Sequence, residues 1–201
     1  MSFEIMSAMN STRLLFAVLL GSIGGHAAEP DRLADGKRLT AEAFALLSKN
    51  LAEAIAKDGV PGAIGFCSEK ALPLTASVGT DFGATLRRAS HKARNPRNKA
   101  DATELEILNA FRDTLTAGKA PEPQSRKHAD GSQSFFAPIV LANPLCLKCH
   151  GAPGQDIDAD TLAALRKMYP QDEATGFKLG ELRGLWRVDF RPAPISKPSL
   201  P

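Results

Sequence analysis

The amino-acid sequence predicts an α+β domain in which helices precede an antiparallel sheet. Apolar residues recur every three or four positions through residues 40–78, which is typical of amphipathic helices. Near the end of the chain, Trp186, Val188 and Phe190 alternate with charged residues, as in a strand with one buried face. Because helices come first and strands follow after short turns, this order favours an α+β domain over a four-helix bundle.

The first predicted helix covers residues 40–57, and Gly59 with the proline two positions later is expected to stop it. Apolar residues at spacings of 3, 4, 3 and 4 predict a second helix over 64–78, which Pro73 would kink or divide. Cys67 falls on the apolar stripe of this second helix. Two helices are therefore expected before the first strand.

The later elements are shorter and are separated by glycine- and proline-rich turns. In chain order they are a strand at 84–90, a turn at 94–98, a helix from the Asp101–Glu104 capping box to Gly118, a strand at 133–141, a helix at 160–168 and a strand at 186–190. Three predicted strands separated by turns favour a small sheet in which neighbouring strands run antiparallel.

Length and composition limit the classes of protein to which this chain can belong. The 201 residues are 43% hydrophobic and 23% charged, which excludes wholesale disorder, and a net charge of +3 is too small to favour nucleic acid as a partner. Residues 1–28 have a basic flank, a short apolar core and small residues at the end, so we expect a cleaved signal peptide and a periplasmic location. The expected mature chain has no membrane span, one domain over 29–191 and a Pro-rich flexible tail over 192–201.

The strongest chemical signal is the motif Cys146-x-x-Cys149-His150. Two thiols separated by two residues can each bond to one vinyl group on the same edge of a porphyrin, and the adjacent imidazole can then bind the iron. With three Cys and four His in 201 residues, chance gives this spacing with a probability of about 10⁻³. The motif therefore predicts one covalently attached haem c.

Three other kinds of site are compatible with two closely spaced cysteines. A zinc site needs four ligands, and no second C-x-x-C or H-x-x-x-H completes the set. A thioredoxin-like pair belongs to a βαβ unit, which is not predicted here, and a short disulfide fits an exported protein. The flanking residues, Asn143-Pro144 and Gly151–Gly154, predict that the motif lies in a loop rather than inside a helix.

A haem iron takes a second axial ligand or keeps an open position, and the chain offers several candidates. Met168 is the only methionine beyond the predicted signal peptide, but its position beside leucines also suits core packing. His91 and His128 lie among charged residues, which is typical of solvated surface histidines. Cys67 is either an inert buried cysteine or a thiolate bound to iron, since a lone exposed thiol is a hazard in an oxidising compartment.

Several groups of residues spread over 40–191 resemble those of a known family. They are Cys67, Arg88–Ser90, Arg94–Asn98, Glu104, Phe111, Phe136–Ile139, Cys146–Gly151, Tyr169-Pro170, Asp172 with Ala174 and Gly176, and Gly180–Gly184. The family resembled is that of c-type haem-binding domains with a PAS-like fold, which occur alone or as the sensor part of membrane histidine kinases. The chain departs from the family's G-D-x-R-G pattern at Glu181, which keeps the negative charge.

The resemblance implies a PAS-like antiparallel sheet flanked by helices, with one covalently bound haem. It implies thioether bonds at Cys146 and Cys149, and it implies His150 and Cys67 as the two axial ligands of the iron. The resemblance therefore favours the iron-bound interpretation of Cys67 over the inert one.

Three arginines are candidate contacts of the haem propionates. Arg88, Arg94 and Arg183 belong to the matching segments, and a guanidinium fork fits a carboxylate. An equal alternative is that they only hold neighbouring turns together.

The function that follows is that of a periplasmic mono-haem protein which senses redox state or a diatomic gas. A thiolate ligand lowers the potential of the iron, and nitric oxide or carbon monoxide can bind if one ligand detaches. The alternative is a periplasmic electron-transfer cytochrome that serves an unknown redox or signalling partner. We do not expect an enzyme, because a peroxidase needs an open iron position and two protein ligands fill both.

Overall fold

The computed structural model describes residues 32–192 and contains four helices and a four-stranded antiparallel sheet within that range. The helices are α1 (Arg32–Asp81), α2 (Ala102–Thr116), α3 (Pro144–His150) and α4 (Ala159–Met168), with a 3₁₀ turn at Pro96–Asn98. The strands are β1 (Ala84–Ala89), β2 (Gln124–Lys127), β3 (Gln133–Val140) and β4 (Leu182–Phe190), in the spatial order β1-β4-β3-β2. The prediction of an α+β domain with an antiparallel sheet is confirmed.

Helix α1 consists of two segments that double back on each other at Gly59. This glycine has a φ of 71°, a left-handed value that interrupts the helix where the sequence predicts a stop. Leu39 and Val78 belong to one core cluster, although a straight helix would separate them by roughly 58 Å. The helix is not divided at Pro73, because it continues through this exposed proline, and Gly59 is its non-helical residue. A kink at Pro73 stays a prediction.

The two faces of the sheet bury different residues. Phe135 and Val188 point to the face that α1 covers, in the cluster that also contains Leu39. Phe136 and Leu185 point to the other face, against α2. Consecutive residues of β3 lie in separate clusters, so its side chains point alternately to two buried faces of the sheet.

Strand β2 was not predicted from the sequence. Its residues Gln124–Lys127 are polar, and it lies at the edge of the sheet, where it pairs only with β3. An edge strand of this kind lacks the apolar alternation by which strands are recognised.

Parts of the predicted domain organisation lie outside the described residues. These parts are the signal peptide at 1–28 and all but the first residue of the tail at 192–201. Among residues 32–192, no helix combines the length and the apolar character that a membrane span requires.

Candidate cofactor site

The C-x-x-C-H motif forms the short helix α3, so the prediction of a loop is wrong. The Asn143 side chain accepts a hydrogen bond from the N–H of Leu145 at 2.8 Å, and Pro144 occupies the first helical turn. Both residues favour the start of a helix, although in isolation they are also turn residues. Gly151 ends the helix by donating its N–H to the carbonyl of Leu147 at 2.9 Å.

All three cysteines are free thiols that are partly buried. Cys149 packs against the apolar cluster that contains Ile64 and Tyr169, and Cys146 packs against the cluster that contains Phe177. Burial raises the pKa of Cys149 to about 11, and the charge of Cys67 adds to this shift. The second segment of α1 therefore brings Cys67 to the motif, 79 positions before Cys146 in the sequence.

His150 presents one ring nitrogen to the protein. Its Nδ1 lies 2.9 Å from the carbonyl oxygen of Ala174, and its ring meets the Phe177 ring edge-on at 6.4 Å between centroids. Burial, followed by the positive charges of Arg183 and Arg94, holds the pKa of His150 well below its ordinary value. The imidazole is therefore neutral near pH 7, and when Nδ1 donates to the Ala174 carbonyl, Nε2 keeps the lone pair that can bind a metal.

An ion pair fixes the segment behind His150. Arg94 Nε lies 3.1 Å from Asp172 Oδ2, and both side chains are about nine-tenths buried, at 11% and 10% exposure. The same guanidinium donates to the carbonyls of Cys149 at 2.5 Å and Ala174 at 3.1 Å. Asp172 Oδ1 also accepts the N–H of Ala174 at 2.8 Å. Arg94 thus ties α3 directly to the chain that supports the imidazole.

Two backbone hydrogen bonds complete this support. Phe177 donates its N–H to the carbonyl of His150 at 2.9 Å, and Gly176 donates to the carbonyl of Gly151 at 2.7 Å. Gly176 has a φ of 77°, which glycine adopts without strain. The sequence pattern Asp172-x-Ala174-x-Gly176 therefore has a local structural reason, although no role was predicted for these residues.

The other two arginines near the motif lack an acidic partner among residues 32–192. Arg88 Nε is buried without a hydrogen-bond partner in this part of the chain, and burial lowers the pKa of Arg88. Arg183 donates through one terminal nitrogen to Ser90 Oγ at 2.8 Å and to the carbonyl of Lys92 at 3.1 Å. Burial lowers the pKa of Arg183 to about 9, and Arg94 and Arg88 act in the same direction. The site therefore contains buried positive charge that the described residues do not neutralise.

The other candidates for the second axial ligand are Met168, His91 and His128, and each has a partner in the protein. Met168 packs with the apolar cluster around Leu165 and Tyr169, as its core interpretation predicts. The His91 ring meets the Phe177 ring edge-on at 6.1 Å between centroids. His128 forms a 2.8 Å hydrogen bond with Ser134 beside β2 and β3. The structure thus brings Cys67, the motif and all three predicted arginines together.

Two comparisons with known proteins found matches. A sequence model of the Tll0287-like family matches residues 3–191. The crystal structure of the cyanobacterial heme-protein Tll0287 is similar with a TM-score of 0.61 and 21% sequence identity, over 81% of this chain and 96% of that chain. That likeness shows a shared fold. No curated protein matches the chain.

Proposed function

Because the chain belongs to the Tll0287-like family, we propose that it is a periplasmic mono-haem protein of the c type which senses redox state or a diatomic gas. The observation that carries this proposal is the convergence of a free C-x-x-C pair, a neutral imidazole and a third thiol on one buried site. When bound there, a haem supplies one-electron chemistry and an iron that binds small gases.

The donor set of this chain fits a haem. Cys146 and Cys149 are free and lie on one short helix, so they can form the two thioether bonds. His150 is suited to bind iron through Nε2, since Ala174 engages Nδ1. Cys67 is the candidate for the second axial position. Burial raises its pKa, and the charges of Arg88 and Arg94 offset only part of this rise, whereas bound iron would favour the thiolate.

The buried arginines fit the two carboxylates that a haem carries. Arg88 is the first candidate, because its Nε has no partner among residues 32–192 and a propionate would satisfy it. The predicted propionate contacts of Arg94 and Arg183 stay predictions, and both guanidinium groups already donate to protein atoms. A PAS-like sheet flanked by helices is also a common sensory scaffold, which supports sensing by analogy alone.

The first test is whether the haem is covalently attached, and the second is whether the haem binds gases. We expect the protein, coexpressed with cytochrome c maturation enzymes, to gain the mass of one haem and to keep its colour after extraction with acid acetone. Cys146→Ser with Cys149→Ser should release the colour, whereas the matched variant Cys67→Ser should retain it. A wild-type haem that acid acetone extracts would contradict covalent attachment.

A second measurement separates gas sensing from the other roles. A gas sensor of this kind should bind carbon monoxide or nitric oxide in the reduced state, with a shift of its absorption bands. An electron carrier should keep both axial ligands, exchange electrons rapidly and leave the gases unbound. The absence of any gas binding would therefore contradict gas sensing and leave redox sensing and electron transfer.

A further inference from the structure

Arg183 lies directly against the rear of the His150 ring. Its Nε is 3.3 Å from His150 Nδ1. Hydrogen bonds from its terminal nitrogen to Ser90 Oγ at 2.8 Å and to the Lys92 carbonyl at 3.1 Å anchor the guanidinium. The charge of this side chain is therefore fixed at a defined place behind the imidazole.

His150 Nδ1 cannot satisfy both of its neighbours at once. If Nδ1 carries the proton, it donates to the Ala174 carbonyl at 2.9 Å; if it carries the lone pair, it accepts from Arg183 at 3.3 Å. The carbonyl is the closer partner, and iron binding through Nε2 places the proton on Nδ1. In that state the Arg183 cation faces an N–H group, and His150 offers it no hydrogen-bond acceptor.

The surroundings of Arg183 leave its charge largely uncompensated. Among residues 32–192 no carboxylate forms an ion pair with it, and Asp172, whose charge acts on this guanidinium, is paired with Arg94. The centroid of the Phe177 ring lies 5.4 Å from its guanidinium carbon, and the same ring meets the His150 ring edge-on. A buried cation beside a ring is screened much less than an exposed one.

We propose that Arg183 acts through His150 by charge alone, and that this fixed charge raises the midpoint potential of the bound haem. This inference rests on the proposed function. A positive charge close to the axial imidazole disfavours ferric iron more than ferrous iron, because the ferric form carries one additional positive charge. Arg183 thereby opposes the lowering of the potential that an anionic thiolate ligand causes.

The test compares midpoint potentials of the haem-loaded protein. Arg183→Gln removes the charge, and we expect the equilibrium constant for reduction to fall at least tenfold, which corresponds to 59 mV for one electron. Arg183→Lys keeps a cation, so its equilibrium constant for reduction should fall by less. The control Arg126→Gln removes an exposed cation that pairs with Glu106, and its potential should equal that of the wild type.

Spectra recorded on the same samples show whether the effect is electrostatic. The ferric absorption and EPR signatures should be those of the wild type in Arg183→Gln, since the axial ligands are unchanged. If Arg183→Gln does not fold, Ser90→Ala replaces it: this variant keeps the charge but removes one anchor, and a smaller fall is expected. A wild-type potential in the folded variant overturns the inference. A wild type without covalent haem instead contradicts the proposed function.

Discussion

The ion pair between Asp172 and Arg94 is the part of the site whose removal gives the clearest prediction. Asp172→Ala deletes a carboxylate that is 3.1 Å from Arg94 Nε and that also accepts the N–H of Ala174 at 2.8 Å. Both side chains are about nine-tenths buried. The change leaves a buried guanidinium without its counter-charge and an unsatisfied N–H beside the carbonyl that orients His150.

The expected loss in the free energy of unfolding follows from this burial. Removing one partner of a buried ion pair costs about 3–5 kcal/mol, and we expect the lower end because Arg94 keeps two carbonyl acceptors. Asp172→Asn keeps an acceptor for the N–H of Ala174 and loses only the charge, so about 1.5–3 kcal/mol is expected. Glu106→Ala is the control. It breaks an exposed pair with Arg126 at 2.8 Å, which solvent screens, so we expect little loss of stability.

Urea unfolding followed by circular dichroism measures these differences in the free energy of unfolding. We expect the loss to be greatest for Asp172→Ala, intermediate for Asp172→Asn and smallest for Glu106→Ala. If Asp172→Ala costs no more than Glu106→Ala, the buried pair does not stabilise the segment behind His150, and this account of the site is wrong.

Three further changes have definite expected outcomes. Cys67→Ala should abolish a thiolate-type ferric EPR signal while the covalent haem stays attached, and an unchanged ferric spectrum would show that Cys67 is only a core residue. In the haem-free chain the folded state keeps the Cys149 proton up to a pKa of about 11 against 9.0 when unfolded, so its stabilising effect, complete below pH 9, is lost as the pH rises to 11. The loss is roughly 3 kcal/mol in urea titrations and should disappear in Cys149→Ser; an identical alkaline profile in both proteins would argue against the raised pKa. Gly79→Ala places a Cβ 2.7 Å from the backbone nitrogen of Leu86, so we expect a loss of about 1–3 kcal/mol in thermal unfolding, and a wild-type melting temperature would refute this close contact.

The local parts of the site could be predicted from the sequence, because local spacing determines them. The spacing of the C-x-x-C-H motif keeps its two thiols and the histidine close together whatever the rest of the chain does. The capping box of α2 is also local: Asp101 and Glu104 satisfy each other's backbone N–H groups as expected. Gly59 interrupts α1 for the equally local reason that its φ is positive.

The long-range parts could not be predicted from spacing alone. Arg94 and Asp172 are 78 positions apart, and Arg183 and Ser90 are 93 positions apart, so only the folded sheet brings each pair together. The same residues are common in turns and on surfaces, which is why a role in holding turns was an equal alternative. For α3, the error was to treat Asn143-Pro144 as a loop signal, although an N-cap residue followed by proline also begins helices.

Among residues 32–192, the His150 side of the site is held by more hydrogen bonds than the Cys67 side, and this difference bears on sensing. On the His150 side, Ala174, Phe177 and Arg94 tie α3 and the following segment together through hydrogen bonds. On the other side, Cys67 lies on the second segment of α1, eight positions beyond the interruption at Gly59. Since the imidazole is held by several partners, we expect the thiolate to be the ligand that a gas replaces. Carbon monoxide titrations of the reduced wild type and of Cys67→Ala test this: the variant should bind more tightly, and equal affinities would mean that the thiolate does not compete with the gas.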